Sequence, residues 1–484
     1  MDNMTSFIPA MLWFDTEDFI THESDEILLS ITRMLEKHEI KATFKIVGEK
    51  LRVLEKRGRF DIIEELSKHD IGYHSDLHSV HPTISEYVGD LSWDDGVSEF
   101  ETREQQGIET VRRFFKDISC FGHPGLCWVP QAYPVLTKWG IQVYLDETYA
   151  LANQERRPYY YCNILNIMGL GELKLSIDAS GGPGNLPLDN LTRTAPYRFT
   201  EAYNELTSSP LPGVISILSH PSTYVTEEFW DKVNYSAGKN PSNTKVPRLK
   251  PRELVQKHLE DLDKFLGFAK SFKNIRFITA AEAGRLFTDY APTIEFTDQD
   301  LYELCRKSIN AINHYRSRSE WLSPAEIFSM VITAIATYRQ NGHLPSRIKC
   351  LQPLGPKENS ISKLKSAQIT SKSLLECCDK TLLHGFSYLP SKFIGEEFEL
   401  STADMFSTLC YLYTEMFATH ALPPEVPLHS GNFTVGTSIS ELGFQKNWDL
   451  TYTNPSRFFA SNQITLARLQ AWTLKPAHAA FEAA

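Results

Sequence analysis

From residue 8 to residue 287 short apolar segments alternate with amphipathic stretches, and this alternation limits the possible fold more than any other feature of the chain. Residues 8 to 15, Ile-Pro-Ala-Met-Leu-Trp-Phe-Asp, read as a buried strand, and Glu26 to Lys37 carries apolar residues at helical spacing. Ala42-Thr-Phe-Lys-Ile-Val-Gly48 is a second strand, Asp61 to His69 a helix, and Ile71-Gly-Tyr73 leads on in extended form. Helices at about 98 to 116 and 131 to 139 flank an apolar segment ending near Phe121, and Ile141 to Leu145 is a further strand. Residues 151 to 196, with Arg156-Arg-Pro-Tyr-Tyr-Tyr161 and Ser180-Gly-Gly-Pro-Gly184, read as a long excursion holding one strand, Leu173 to Ile177. A strand at 213 to 219, a helix at 253 to 270, a strand at 275 to 279 and a helix at 280 to 287 complete the series. Such a rhythm favours a parallel sheet, either a barrel or an open doubly wound one, with a site at the strand C-terminal ends. Asp15, His220 and the segment Ser119 to His123 sit at such ends, and His74 follows another.

Composition removes several function classes. The 484 residues carry a formal charge of −11 and no basic tract, which argues against sequence-independent binding to nucleic acid or to an anionic membrane. Eight scattered cysteines without a Cys-x-x-Cys pair argue against a disulfide framework and a thiolate zinc knuckle. No segment approaches the roughly 18 apolar residues of a membrane span, and the N-terminus lacks a basic start and apolar core, so the expected location is the cytoplasm. With 42% apolar residues the chain can bury two or three cores.

After Pro292-Thr-Ile-Glu-Phe296 the pattern becomes mainly helical, which divides the chain into residues 1–290 and 291–484. The second part contains a repeat. Leu322-Ser-Pro-Ala-Glu-Ile-Phe-Ser329 returns as Leu400-Ser-Thr-Ala-Asp-Met-Phe-Ser407, and Leu344-Pro345 returns as Leu422-Pro423, so an offset of 78 holds across units at about 322–356 and 400–434. Ser323 and Ser401, each with an acid three residues on, are candidate helix caps. The units serve either to cover the first domain or to bind a ligand.

The chemistry concentrates in Gly72-Tyr-His-Ser-Asp-Leu-His-Ser-Val-His-Pro82, where His74 and His78 stand four apart. On a helical turn that spacing places both imidazoles on one face, within reach of one ion. Asp15-Thr-Glu-Asp18 supplies acids, and at a strand end Asp15 and Glu17 point the same way. Two imidazoles and one carboxylate make the donor set of a catalytic metal site. Aromatic residues at Tyr159 to Tyr161, Tyr224, Trp230 and Tyr235 either pack the long loop or stack on a ligand ring.

The order of these segments resembles the polysaccharide deacetylase superfamily. It runs through the acidic cluster, Ala42-Thr-Phe-Lys-Ile-Val-Gly48, His69-Asp-Ile-Gly-Tyr-His-Ser-Asp-Leu-His78, Ile217-Leu-Ser-His220 and Phe277-Ile-Thr-Ala-Ala-Glu282. The resemblance implies an α/β fold, a distorted, incomplete (β/α) barrel, followed here by the helical repeat domain. It implies metal-assisted hydrolysis of an acetamide or related C–N bond, with a divalent ion, zinc first and cobalt or nickel as alternatives. Asp15 would be the general base, Glu17, His74 and His78 the metal ligands, and His220 the acid that protonates the leaving amine. Asp146 would tune His220, and Asp18 is the alternative acidic ligand. One departure stands out: the family has an Arg-x-Pro motif whose arginine orients the base, whereas the matching stretch here is Cys120-Phe-Gly-His-Pro-Gly125. His123 is a candidate substitute.

The C-terminal units are similar to pseudomurein-binding repeats, which implies contact with a cell-wall glycan. The expected substrate is an N-acylated carbohydrate or a small amide. The alternatives are hydrolysis of another C–N bond, such as a cyclic ureide or imide, and a non-catalytic glycan-binding protein on the same fold.

Overall fold

The computed structural model describes residues 7–125, 127–146, 157–169, 195–209, 212–365, 368–383, 385–439 and 460–479, the side chains of Asp146, Ala237 and Ala460 excepted. The expected strand at 173 to 177, the glycine-rich Ser180 to Gly184, Arg156 and the Asp146 side chain therefore lie outside the described residues.

The first part is a curled, largely parallel sheet with helices packed on its outer face, a distorted and incomplete (β/α) barrel. Its strands are β1 (Ile8–Thr16), β2 (Thr43–Ile46), β3 (Asp70–Tyr73), β4 (Cys120–Phe121), β5 (Val143–Asp146), β6 (Tyr159–Tyr161), β7 (Ile164–Met168), β8 (Ile215–Ser219) and β9 (Ile275–Phe277). The helices are α1 (Glu23–Lys37), α2 (Gly48–Lys56), α3 (Phe60–Ser67), α4 (Ile84–Val88), α5 (Trp93–Phe114), α6 (Ala132–Lys138), α7 (Ala195–Ser208), α8 (Ser222–Val225), α9 (Trp230–Tyr235), α10 (Arg252–Lys270) and α11 (Ala280–Leu286). The strands run in the order β6-β7-β5-β4-β3-β2-β1-β8, and β9 pairs with the start of β1. From β7 to β8 every pairing is parallel, and β6 against β7 is an antiparallel hairpin.

Strand alternation sorts the core into two. Ala10, Leu12 and Phe14 of β1 and Phe44 and Ile46 of β2 join the cluster under the helices. Met11 and Trp13 pack inward with Cys120, Val143, Leu145, Leu165, Ile167 and Leu218. The period of two therefore carries Asp15 and Lys45 to the inner side, at the C-terminal end of the sheet.

The second part holds β10 (Phe296–Thr297), α12 (Asp298–Asn310), β11 (Tyr315–Ser317), β12 (Glu320–Leu322), α13 (Pro324–Asn341) and β13 (Arg347–Ile348). Then come β14 (Lys363–Leu364), β15 (Gln368–Thr370), α14 (Ser371–Leu383), β16 (Lys392–Ile394), β17 (Phe398–Ser401), α15 (Thr402–Thr419) and β18 (Glu425–Pro427). The repeat is larger than its sequence trace. Each unit is strand, helix of 13 residues, hairpin, helix of 18 residues, strand, with the first and last strands paired, β10 with β13 and β15 with β18. Each unit's first helix packs against the other's second, α12 on α15 and α14 on α13, around one shared core. The Ser323 hydroxyl accepts from the Glu326 N–H while Glu326 accepts from the Ser323 N–H, and Ser401 accepts from the Asp404 N–H.

The division at residue 290 is not kept by the end of the chain. Helix α16 (Ala460–Gln470) packs near α4, with Asn462 and Gln463 donating to the carbonyls of Gly89, Leu91 and Val88. Strand β19 (Lys475–Pro476) then pairs antiparallel with β6 and extends the first sheet. An edge strand leaves a row of unpaired backbone groups, and here the C-terminal segment fills part of that row. Lys475, buried, holds Asp289 and Glu326 at 2.7 Å each, tying β19 to the first turn of α13. Among the described residues no helix is long and apolar enough to cross a membrane.

Candidate metal and catalytic site

Strand β1 ends in the site. Asp15 is its last residue but one, and Glu17, two on, continues on the same side. Asp18 has turned away: its Oδ1 accepts from the N–H groups of Ile20 and Thr21, and its carbonyl receives the Lys50 ammonium at 2.6 Å. Its carboxylate is therefore committed to the turn that begins α1, and burial raises its pKa.

The histidines converge by a different route from the expected helix. Residues 74 to 78 form a loop after β3, with Ser75 and His78 at φ of 67° and 53°, left-handed values that non-glycine residues rarely adopt. The loop is held from several sides. His78 N–H donates to Ser75 Oγ at 3.0 Å, Gly48 N–H to the Ser75 carbonyl at 3.0 Å, and Asp76 N–H to Glu104 at 2.9 Å. Arg52 adds an ion pair to Asp76 at 2.7 Å. The two imidazole rings lie 5.1 Å apart.

Glu17 Oε2 stands 3.3 Å from His74 Nε2 and 2.6 Å from His78 Nε2, and all three residues are buried. His78 Nε2 nonetheless has no hydrogen-bond partner, so the close approach is not an in-line N–H···O bond. Three donors crowded around one point with an unsatisfied buried nitrogen among them suit a cation, and they match the His-His-carboxylate donor set of catalytic zinc. Each donor is also fixed from behind. His74 Nδ1 donates to the Gly122 carbonyl at 2.7 Å, which leaves Nε2 as the lone-pair nitrogen of the neutral ring. His78 Nδ1 lies 2.7 Å from Ser79 Oγ, which donates to Asp231 at 2.7 Å, and Trp230 donates to Glu17 Oε1 at 2.8 Å.

Electrostatics follow this crowding. Burial opposes the charge on Glu17, but His78, His220 and His74 outweigh it and hold the carboxyl well below its usual range. Burial likewise opposes the charge on Asp15, and His74, Lys45 and His220 together lower its pKa. Burial lowers His74. His78 rises because Glu17 and Asp231 overcome its burial. Asp231 is pushed up to about 6 by burial.

Asp15 Oδ2 lies 3.6 Å from His74 Nε2 and 3.5 Å from His220 Nε2, so Asp15, Glu17 and His220 make a second, overlapping group. His220 follows β8, its side chain 14% exposed, with the Phe229 ring 5.1 Å away. His123 joins neither group. It is buried, with Nδ1 3.1 Å from the Tyr144 hydroxyl, and burial, followed by Lys45, His74 and His78, keeps it neutral. The role of Asp146 falls on an undescribed side chain.

The candidate ring-stacking aromatics are core residues. Tyr159, Tyr160 and Tyr161 are buried in β6, and the Tyr161 hydroxyl donates to the Ala467 carbonyl at 3.0 Å. Trp230 is fully buried behind Glu17, and Tyr224 and Tyr235 are buried too. Lys45, Ser79, Glu104, Trp230 and Asp231 are the supporting residues that sequence reasoning missed as such. Of these only Lys45 left a signal: a lysine at an inward position of a buried strand.

No protein-family model matches the sequence, and no curated protein matches it. Among solved structures, similarity extends to a candidate polysaccharide deacetylase from Mycobacterium smegmatis (11% identity, 59% of this chain and 91% of that one, TM-score 0.38). The Xyl-CE4 domain of a multidomain xylanase from the hindgut metagenome of Trinervitermes trinervoides is similar over 58% of this chain and 90% of its own (12% identity, TM-score 0.30). PuuE allantoinase is similar over 59% and 91% (13% identity, TM-score 0.37).

Proposed function

We propose that residues 1–290 form a metal-dependent hydrolase that removes an acyl group, acetyl in the first instance, from an N-acylated carbohydrate or a related amide. The observation that carries this reading is the convergence of Glu17 Oε2, His74 Nε2 and His78 Nε2 beside a fourth group, Asp15, whose Oδ2 faces His74 and His220. A divalent cation held by those three residues, zinc by its donor set, supplies a Lewis acid that acidifies water and polarises a carbonyl. Asp15 is ionised and adjacent, and its Oδ2 takes the proton from the attacking water as general base. His220, across Asp15 and partly exposed, delivers a proton to the departing nitrogen. Ser79 and Asp231 hold His78, and the Gly122 carbonyl holds His74, so neither ring needs to reorient during turnover.

The test is direct. Full-length protein loaded with zinc, cobalt or nickel is offered N-acetylated glucosamine oligomers and, in parallel, a cyclic ureide. Acetate release supports the deacetylase reading, and ring opening of the ureide moves the substrate to another C–N bond. Metal uptake with no turnover of either, alongside glycan binding, replaces the reading with a non-catalytic one.

A further inference from the structure

Asp15 and Lys45 are register partners on β1 and β2, and Gly72 is the partner of Lys45 on β3. The lysine side chain runs along the inner side of the sheet past two glycines, Gly72 and Gly122. A Cβ at Gly72 would stand 3.0 Å from Lys45 Cγ, and one at Gly122, just past β4, would stand 2.8 Å from Cδ and 2.1 Å from Nζ. The ammonium lies 4.2 Å over the Trp13 ring, and Lys45 is 2% exposed. A buried lysine needs a partner, and among the described residues it has one oxygen of one carboxylate: Nζ sits 2.9 Å from Asp15 Oδ1. The contact is an ion pair rather than an in-line hydrogen bond, since Oδ1 has no hydrogen-bond partner. The other oxygen, Oδ2, faces His74 and His220.

Gly122-His123-Pro124 occupies the place of the Arg-x-Pro motif, so Gly122 stands where the arginine is missing. The Lys45 ammonium occupies the space into which a side chain at 122 would project. We propose that Lys45 is the positioning residue of the general base: it holds Asp15 Oδ1, so that Oδ2 is the oxygen turned toward the attacking water. By the resemblance, Lys45 on β2 would do what the arginine of the loop after β4 does in the superfamily, and Gly72 and Gly122 leave room for it. This inference rests on the hydrolase reading above.

The experiment compares zinc-loaded wild type, K45M and K45R on whichever N-acetylated oligomer or ureide the wild type turns over. A 1 Å misplacement of a catalytic group costs about 10²-fold, so K45M should lose roughly that factor in kcat with KM little changed. Its zinc content should match wild type, its melting temperature should fall because Asp15 loses its buried partner, and K45R should recover at least about a tenth of the lost rate. Should Met cost the fold, K45Q repeats the comparison. K45M with wild-type kcat, or with a loss confined to KM or to zinc content, overturns the positioning role and leaves the hydrolase reading intact. A wild type that binds zinc but releases no product overturns both.

Discussion

At the scale of single residues, the proposed mechanism separates groups that would hold an ion from groups that would move protons. Substituting Glu17 by Gln, or His78 by Ala, should abolish stoichiometric zinc binding, measured by elemental analysis after gel filtration, because each removes one of three donors. Asp15→Asn should keep the zinc and lose a factor of roughly 10²–10⁴ in kcat; an unchanged rate contradicts its role. Glu104 makes a separate prediction. Burial pushes its carboxyl up to about 7, only partly offset by the hydroxyls of Tyr73 and Tyr87. Between pH 4.5, its ordinary value, and about 7, the folded protein retains a proton that the unfolded chain releases. This group therefore weakens the fold as pH rises through that window, by up to about 3 kcal/mol at 1.36 kcal/mol per unit. Thermal melts of wild type and E104Q should diverge in favour of the variant from pH 5 to pH 8, and a constant difference would exclude the effect. The clustering of His74, His78 and Glu17 was legible because one short stretch carried the histidine pair and strand periodicity paired Asp15 with Glu17. Trp230, Asp231 and Glu104 were not, because each reaches the site through tertiary packing with no local spacing to mark it.

At the scale of elements, the parallel strands were readable from their unbroken apolar runs, as was the site at their C-terminal ends. The β6–β7 hairpin was missed because Tyr159-Tyr-Tyr161 is apolar on both faces, and Cys162 and Asn163 turn the chain at positive φ without a glycine. The helical reading of residues 74 to 78 failed for a related reason: spacing cannot tell a helical turn from a loop pinned by Glu104 and Gly48. The repeat was seen only where its offset was constant. Its first helices, α12 and α14, are offset by 371 − 298, or 73 residues, against 78 for α13 and α15, so the hairpins between them differ in length and hide the match. The caps give a test at this scale. Ser323→Ala removes one half of a reciprocal capping box and should cost about 1 kcal/mol by chemical denaturation. A neutral result would mean that packing alone defines the start of α13.

At the scale of the whole molecule, the C-terminal segment ties the two parts together and should make them melt as one unit. Trp472, 2% exposed, stacks on Phe433 at 4.8 Å and contacts Phe406 at 5.7 Å and Phe328 at 6.0 Å, in the core of the repeat domain, three residues before β19 joins the first sheet. Trp472→Ala should cost about 3–5 kcal/mol. It should also lower the melting of both parts together, read as one transition by calorimetry and by zinc release; two separated transitions would contradict the coupling. The pairing of Lys475 with Tyr160 has a kinetic side as well. These residues are 475 − 160, or 315, positions apart, so at about 5–20 residues per second a ribosome makes β6 roughly 15 to 60 s before it makes the strand that covers it. During synthesis β6 therefore waits with an open edge until β19 has been made and seals it.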